Sequence, residues 1–373
     1  MAIDLTKMPK LGFGLMRLPQ KDGEIDIGTV CNMADKYMEA GLNYFDTAYV
    51  YHGGYSEVAA RKAIVERYPR ESFYLATKLP AWCLRFPDDR DRIFNEQCER
   101  AGVDYFDFYL LHSVEEGGNY DAYEKFECFK WAAEKKKEGR IRHCGFSFHG
   151  TPALLEKLLD DHPDTEFVQI QLNYLDWDNP VIASGKLYEI LRSRGIPMII
   201  MEPVKGGTLA SPPPEAVEKF ESARPGASAA SWALRFVASL PGVMCILSGM
   251  SNEEQMNDNI NTFTKFEPLS DSEKKVIDEV REILHGKPLI GCTSCRYCCD
   301  GCPQGIKIPD IFSIINAQRI YNEGWRAKNY YNANVAPFAR ASDCIGCGQC
   351  EGVCPQHLPI IELLKDASEQ FDK

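Results

Sequence analysis

Residues 41–57 read GLNYFDTAYVYHGGYSE. The run NYFDTA has the aromatic and apolar character of a short strand and carries an acid, Asp46, towards its far end. Gly41 closes the amphipathic stretch VCNMADKYMEAG before it, and Ser56 stands ahead of the next one, SEVAARKAIVERY. The same alternation extends in both directions. Apolar runs recur as LGFGLMRL, FYLATKL, DFYLLH, CGFSF, FVQIQLN, MIIMEPV and MCILSGM, with helix-like segments such as PALLEKLLDDH between them. Thr151-Pro152 opens that last helix, and Gly195 closes another. Strands that are apolar throughout and separated by helices belong to a parallel sheet covered on both faces. Eight such units in about 250 residues fit an α/β (β/α)8 TIM barrel. An open doubly wound sheet is the runner-up, but no G-x-G-x-x-G follows the first strand.

Barrel chemistry sits at the C-terminal ends of the strands. Asp46 ends NYFD, Lys78 ends YLATK and His112 ends FYLLH, while Tyr51 follows Asp46 in the loop. Any one of these is commonly a structural partner. Four at successive strand ends and loops form a constellation. Here the residues resemble the aldo/keto reductases: an Asp five residues before a Tyr in the quoted stretch, then LATK and YFDFYLLH, then CILSGMSNEEQMNDNI as the last strand and cofactor-phosphate helix. The likeness runs from about residue 8 to 265.

The resemblance implies hydride transfer between NAD(H) or NADP(H) and a small carbonyl or alcohol substrate. In it Tyr51 is the proton donor, Lys78 lowers the tyrosine's pKa, Asp46 pairs with Lys78, and His112 orients the substrate oxygen. Ser147 and Gln169 match positions that hold the nicotinamide carboxamide, and Met201 stands where the family has a stacking tyrosine. Phe148 replaces the usual Asn, with His149 beyond it, a loop histidine rather than a second acid. The helix opening near Ser251 and Asn252 is expected to present backbone N–H groups to a phosphate. Gln255 and Asn259 match adenosine-side positions. Gly249 and Gln255 stand where many NADPH-preferring members carry cations, so NADP specificity is not implied.

Nine of fifteen cysteines lie after residue 290. Cys292, Cys295, Cys298 and Cys302, then Pro303, spell C-x2-C-x2-C-x3-C-P, and Cys344, Cys347, Cys350 and Cys354, then Pro355, repeat it. Disulfides this close would be strained, and zinc prefers separated ligand pairs. The doubled run has the bacterial ferredoxin form for two 4Fe-4S clusters, and similarity to two-cluster ferredoxins implies that each fourth cysteine serves the other cluster. Cys302 would then join Cys344, Cys347 and Cys350, and Cys354 would join Cys292, Cys295 and Cys298. Cys299 reads as a spare thiol. Between the runs, Ile311, Ile314, Ile315 and Ile320 recur at helical spacing. The C-terminal part thus resembles a small, mainly helical two-cluster ferredoxin-like domain, the module of one branch of the reductases. The charged helix and Gly-Lys-Pro linker place the boundary between 1–285 and 286–373.

The formal charge of −12 argues against nucleic acid. No run approaches a membrane span, and MAIDLTKMPKLGFGLMRLP lacks a signal-peptide core. A cytoplasmic protein is expected. Trp82, Arg85 and Phe86 after Lys78 suit a mixed apolar and anionic substrate, or lid packing. Two readings of the whole follow. In one, an oxidoreductase exchanges electrons through its clusters with an external carrier, although hydride moves two electrons, a cubane moves one, and no flavin motif is recognisable. In the other, a nucleotide-binding barrel serves as a redox-sensing or partner-docking subunit whose clusters are structural or regulatory.

Overall fold

The computed structural model describes residues 8–116, 118–321 and 324–372. Each apolar run yields one strand: β1 (Leu11–Gly14), β2 (Tyr44–Asp46), β3 (Tyr74–Pro80), β4 (Phe106–Val114), β5 (Ile141–Phe148), β6 (Phe167–Gln171), β7 (Met198–Met201) and β8 (Val243–Ser248). Neighbours in the chain pair in parallel, and β1 pairs with β8 to close the barrel. Every residue of β4 is buried, as a strand covered inside and out requires. The interior is filled rather than open: Phe108 meets the rings of Tyr44 and Phe167 at 5.1 and 5.3 Å, with Ile199, Leu247 and Met8 packed into the same cluster.

Helix signals fall where the residues suggest, with one exception. Thr151 accepts from the Leu154 N–H and Pro152 occupies the first turn of helix Pro152–Asp161. Gly41 and Gly195 take φ of 76° and 67°, the left-handed turn that stops a helix. Ser56, expected ahead of its helix, lies inside helix Tyr55–Ala60. Its hydroxyl instead ties that helix to the Leu15 carbonyl and the Thr47 hydroxyl, 2.9 and 2.7 Å away. No helix among the described residues is long and apolar enough to cross a membrane.

The chain forms two compact units. One holds the described residues up to Pro203 together with Leu234–Leu269, and so contains all eight barrel strands; the other holds Val204–Ala233 and the chain from Ser270 onward. Within the second unit, helices Pro214–Ala223 and Asp271–His285 are joined by Lys219–Glu279 (2.5 Å) and Arg224–Glu273 (3.3 Å). Beyond residue 290 the described elements are all helical, the longest being Ile308–Tyr321, which buries Ile311, Ile314 and Ile315. Gly206 packs against the backbone of Thr293 so closely that a Cβ would lie 2.5 Å from the Thr293 carbonyl oxygen.

Candidate active site and cysteine cavities

Asp46 ends β2, whereas β3 and β4 run past Lys78 and His112 to Pro80 and Val114. Register places Asp46 beside Ala76 and His112 beside Pro80, so the three side chains come from adjacent strands. Tyr51 is brought to them by a sharp turn in which His52, Gly53 and Gly54 all have positive φ. Lys78 Nζ donates to Asp46 Oδ1 (2.5 Å), the Thr47 carbonyl (2.8 Å) and the Tyr51 hydroxyl (3.3 Å). The Tyr51 and His112 rings stand 5.8 Å apart at 80°, and the Trp82 ring lies 5.2 Å from that of His112. Exposures of 0% for Lys78, 2% for Asp46, 4% for His112 and 8% for Tyr51 put the group in a low-dielectric setting.

That setting decides the protonation states. Burial pulls the Lys78 ammonium below the usual lysine value, against the attraction of Asp46, and pushes the Asp46 carboxyl up, against the attraction of Lys78. Their short bond keeps them paired. Burial, reinforced by the Lys78 charge and by His149, holds His112 well below its ordinary value, so its imidazole is neutral near pH 7.

Ser147 and Gln169 face each other in register between β5 and β6, and Gln171 faces Met201 between β6 and β7. The Ser147 hydroxyl accepts from the Ser113 N–H at 2.7 Å. Gln169 donates to the Met201 sulfur at 3.4 Å, while its Oε1 is buried with no hydrogen-bond partner among the described residues. A buried acceptor of this kind suits a carboxamide N–H. At helix Glu253–Thr264, Asn252 is the cap, accepting from the Gln255 N–H (2.9 Å). Gln255 Oε1 accepts in turn from the Ser251 N–H (2.8 Å). Two N–H groups expected to be open to a phosphate are therefore engaged. Asn259 is buried and donates to the Ser248 hydroxyl at 2.7 Å. Gly249 packs against the stem of Arg17, whose guanidinium meets Glu202 at 2.9 Å.

The cysteines sort into two cavities in the second unit. Cys302, Cys344, Cys347 and Cys350 line one, together with Ile306, Ile361 and Leu364. Cys292, Cys295, Cys298 and Cys354 line the other, with Phe312 and Leu358. Each fourth cysteine thus stands with the opposite run. Four soft thiol donors round an apolar hollow suit a cubane cluster. Among the described residues no group of three or more His, Cys, Asp or Glu side chains closes on a point as a single ion would need. Cys299 lines neither cavity.

A model of the aldo/keto reductase family matches residues 10–282. The chain belongs to that family. A 4Fe-4S dicluster domain matches residues 291–358, so this aldo/keto reductase carries a ferredoxin-type module at its C-terminal side. The L-galactose dehydrogenase of Arabidopsis thaliana is 26% identical over 295 residues, covering 74% of this chain and 91% of the relative. An aldo-keto reductase of Mycobacterium avium is 25% identical, covering 70% and 82%. Among solved structures, a thermostable aldo-keto reductase crystallised with the inhibitor epalrestat superposes with a TM-score of 0.60 at 23% identity, over 75% of this chain and 99% of that one. One from Klebsiella pneumoniae in complex with NADPH gives 0.58 at 21%, over 74% and 91%. At these identities the structural likeness is one of fold.

Several residues that brace this reductase's site have no signal in the sequence. The Tyr123 hydroxyl shares its one proton between the His112 and Leu79 carbonyls, both 2.7 Å away, and accepts from the Ala81 N–H at 3.0 Å. Gln97 donates to the Lys78 carbonyl and the Thr77 hydroxyl, both at 3.0 Å. Glu57, wholly buried, accepts from Thr77 at 2.7 Å and adds its charge to the field round Lys78. Only Glu57, adjoining Ser56 in the stretch 41–57, lies where a reader would look.

Proposed function

We propose that this chain reduces a small carbonyl compound, or oxidises the matching alcohol, with a bound nicotinamide, and that two 4Fe-4S clusters exchange electrons with a partner. The observation that carries the reading is Lys78 Nζ placed between Asp46 Oδ1 and the Tyr51 hydroxyl, at 2.5 and 3.3 Å. The nicotinamide, when bound, supplies or accepts the hydride. As negative charge grows on the carbonyl oxygen, Tyr51 hands it a proton. The tyrosinate left behind is stabilised by the adjacent ammonium of Lys78, and Asp46 keeps that ammonium charged and aimed. Neutral His112 donates an N–H to the same oxygen and fixes its direction. Because the group is buried, these charges act at short range with little water to screen them.

Gln169 and Ser147 hold the carboxamide and Met201 covers the ring face, less rigidly than an aromatic would. Gly249, Ser251, Asn252, Gln255 and Asn259 form the phosphate and adenosine side. Cys292, Cys295, Cys298 and Cys354 hold one cluster, and Cys302, Cys344, Cys347 and Cys350 the other; once in place they supply one-electron exchange. The reductase module ends near 285 and the cluster module begins near 286, in a cytoplasmic protein.

An anaerobic preparation of the full chain tests this, assayed together for iron, sulfide and carbonyl-dependent oxidation of NADH and NADPH. Tyr51→Phe is expected to lower carbonyl reduction by about a hundred- to ten-thousand-fold with nucleotide affinity nearly unchanged. Full activity in that variant would sink the assignment. Nucleotide binding without turnover on any carbonyl, in wild type, would favour the sensing subunit.

A further inference from the structure

The two cysteine cavities differ in how they meet solvent. Cys298 and Cys350 are buried, one at each site, but Cys347 is exposed, and every other cysteine lining either cavity is intermediate. Gly346 and Gly348 flank Cys347 with φ of 68° and 77°, and a Cβ on either would touch nothing. The backbone at that corner is therefore bare. Ile345, which lines the cavity, is 63% exposed, and Val353, beside Cys354 of the other cavity, is 40% exposed. Trp325, Tyr330 and Phe338 precede them, with exposures of 77%, 60% and 67%. Half of the ten exposed large hydrophobic side chains among the described residues thus fall in residues 325–353. Scattered apolar side chains are ordinary, but an exposed one that lines a chemically active site, as Ile345 does, marks an interaction surface.

The ammonium of Lys307 caps the Phe338 ring at 3.2 Å from its centroid, so one cation lies in this apolar ground. Lys307 follows Ile306, which lines the cavity holding Cys302, Cys344, Cys347 and Cys350, and precedes Ile308, which lines both cavities. Among the described residues no exposed large hydrophobic side chain lines the other cavity, whose lining includes Arg296, held by Asp310 at 2.6 Å.

We propose that the site of Cys302, Cys344, Cys347 and Cys350 is the electron port of the protein, and that Ile345 and Phe338 form the docking face for a small one-electron carrier protein of the ferredoxin kind. This rests on the cluster reading above. The occupant follows from the chemistry of the bare corner. A four-iron cluster changes by one electron, so its partner must exchange one, and a small protein with an apolar rim round its own centre can approach Cys347 without displacing a side chain. One electron leaves the reduced carrier and one enters the site; no bond, proton or atom is transferred. Contacts of this class are small, weak and quickly broken, as repeated delivery requires.

The test uses the anaerobic full-length holoprotein, with iron counted in each variant. Cluster bleaching is followed after mixing with a reduced small ferredoxin and, separately, with dithionite, which needs no docking face. Ile345→Glu and Phe338→Glu are expected to slow reduction by the ferredoxin at least about tenfold, or roughly 1.4 kcal/mol of barrier, and to leave the dithionite rate unchanged. Ile345→Ala is the milder companion should the charged variant lose iron. Unchanged ferredoxin rates in these variants, equal slowing by both reductants, or no reduction of wild type by the ferredoxin would each overturn the proposal. Wild type that binds no iron would instead defeat the underlying cluster reading.

Discussion

Cys302 lines the same cavity as Cys344, while Cys298 of its own run lines the other. This crossing makes each cavity depend on two distant segments of chain, and the apolar side chains round the hollows form a modest core. Bound clusters would therefore supply much of the module's folding energy.

Removing one thiol should thus damage the opposite run's cluster. Cys302→Ser is expected to perturb the cluster of Cys344, Cys347 and Cys350, and Cys354→Ser that of Cys292, Cys295 and Cys298. Electron paramagnetic resonance of the reduced proteins, with serine changes in each three-cysteine set as references, separates the two. A Cys302→Ser spectrum matching that of Cys292→Ser would mean each run closes on itself.

Breaking the buried ion pair should cost stability as well as activity. Asp46→Asn leaves the Lys78 ammonium, 0% exposed, without its counter-charge. Removing one partner of such a pair typically costs about 3–5 kcal/mol. Urea unfolding of the variant should show a loss of that order, and turnover should fall with it. Unchanged stability would mean Lys78 is neutral in the wild type.

Coenzyme choice follows from charge at the phosphate helix. Its first turn carries Glu253 and Glu254, with Lys36 bound to Glu253 at 2.6 Å, and Arg17 is held by Glu202. Arg235 is buried and donates to the Glu267 carbonyl. A 2′-phosphate placed at this helix would meet acids rather than an open guanidinium. Anaerobic titration should show NADH used at least as well as NADPH. A tenfold preference for NADPH, about 1.4 kcal/mol, would contradict the assignment of this helix.

Glu115, beyond His112 on the same side of the barrel, is pushed up to about 7 by burial and by Glu116. The unfolded chain releases that proton near the ordinary 4.5, so between these values the folded state holds one proton more. Stability therefore falls as pH rises from about 4.5 to 7. Glu115→Gln should raise the melting temperature at pH 8 and leave it nearly unchanged at pH 4. An equal gain at both would assign the effect to packing.

The barrel is legible in the chain because a strand covered on both faces must be apolar along its length, as LLH and YLATK are. The tetrad is legible because such strands tolerate an acid or base only near their open ends. Tyr123 and Gln97 are not, since their bonds reach carbonyls on other elements and depend on how helices settle on the barrel. The engagement of Gln255 by Ser251 escapes for a local reason: an amide can cap its own helix or meet a ligand, and residue type does not choose. Nor does any composition shift mark Val204–Ala233 as part of the second unit.

That last segment has a consequence for how the protein can be made and divided. Synthesis yields Val204–Ala233 before β8, and the cysteine runs come last, so the part that will receive iron begins to emerge while the barrel is still incomplete. A gene fragment starting at residue 286 would encode every cluster cysteine yet omit Gly206, the residue whose bare backbone receives Thr293 next to Cys292. The metal-binding part is therefore not a portable cassette: transplanted to another protein, it would arrive with one wall missing.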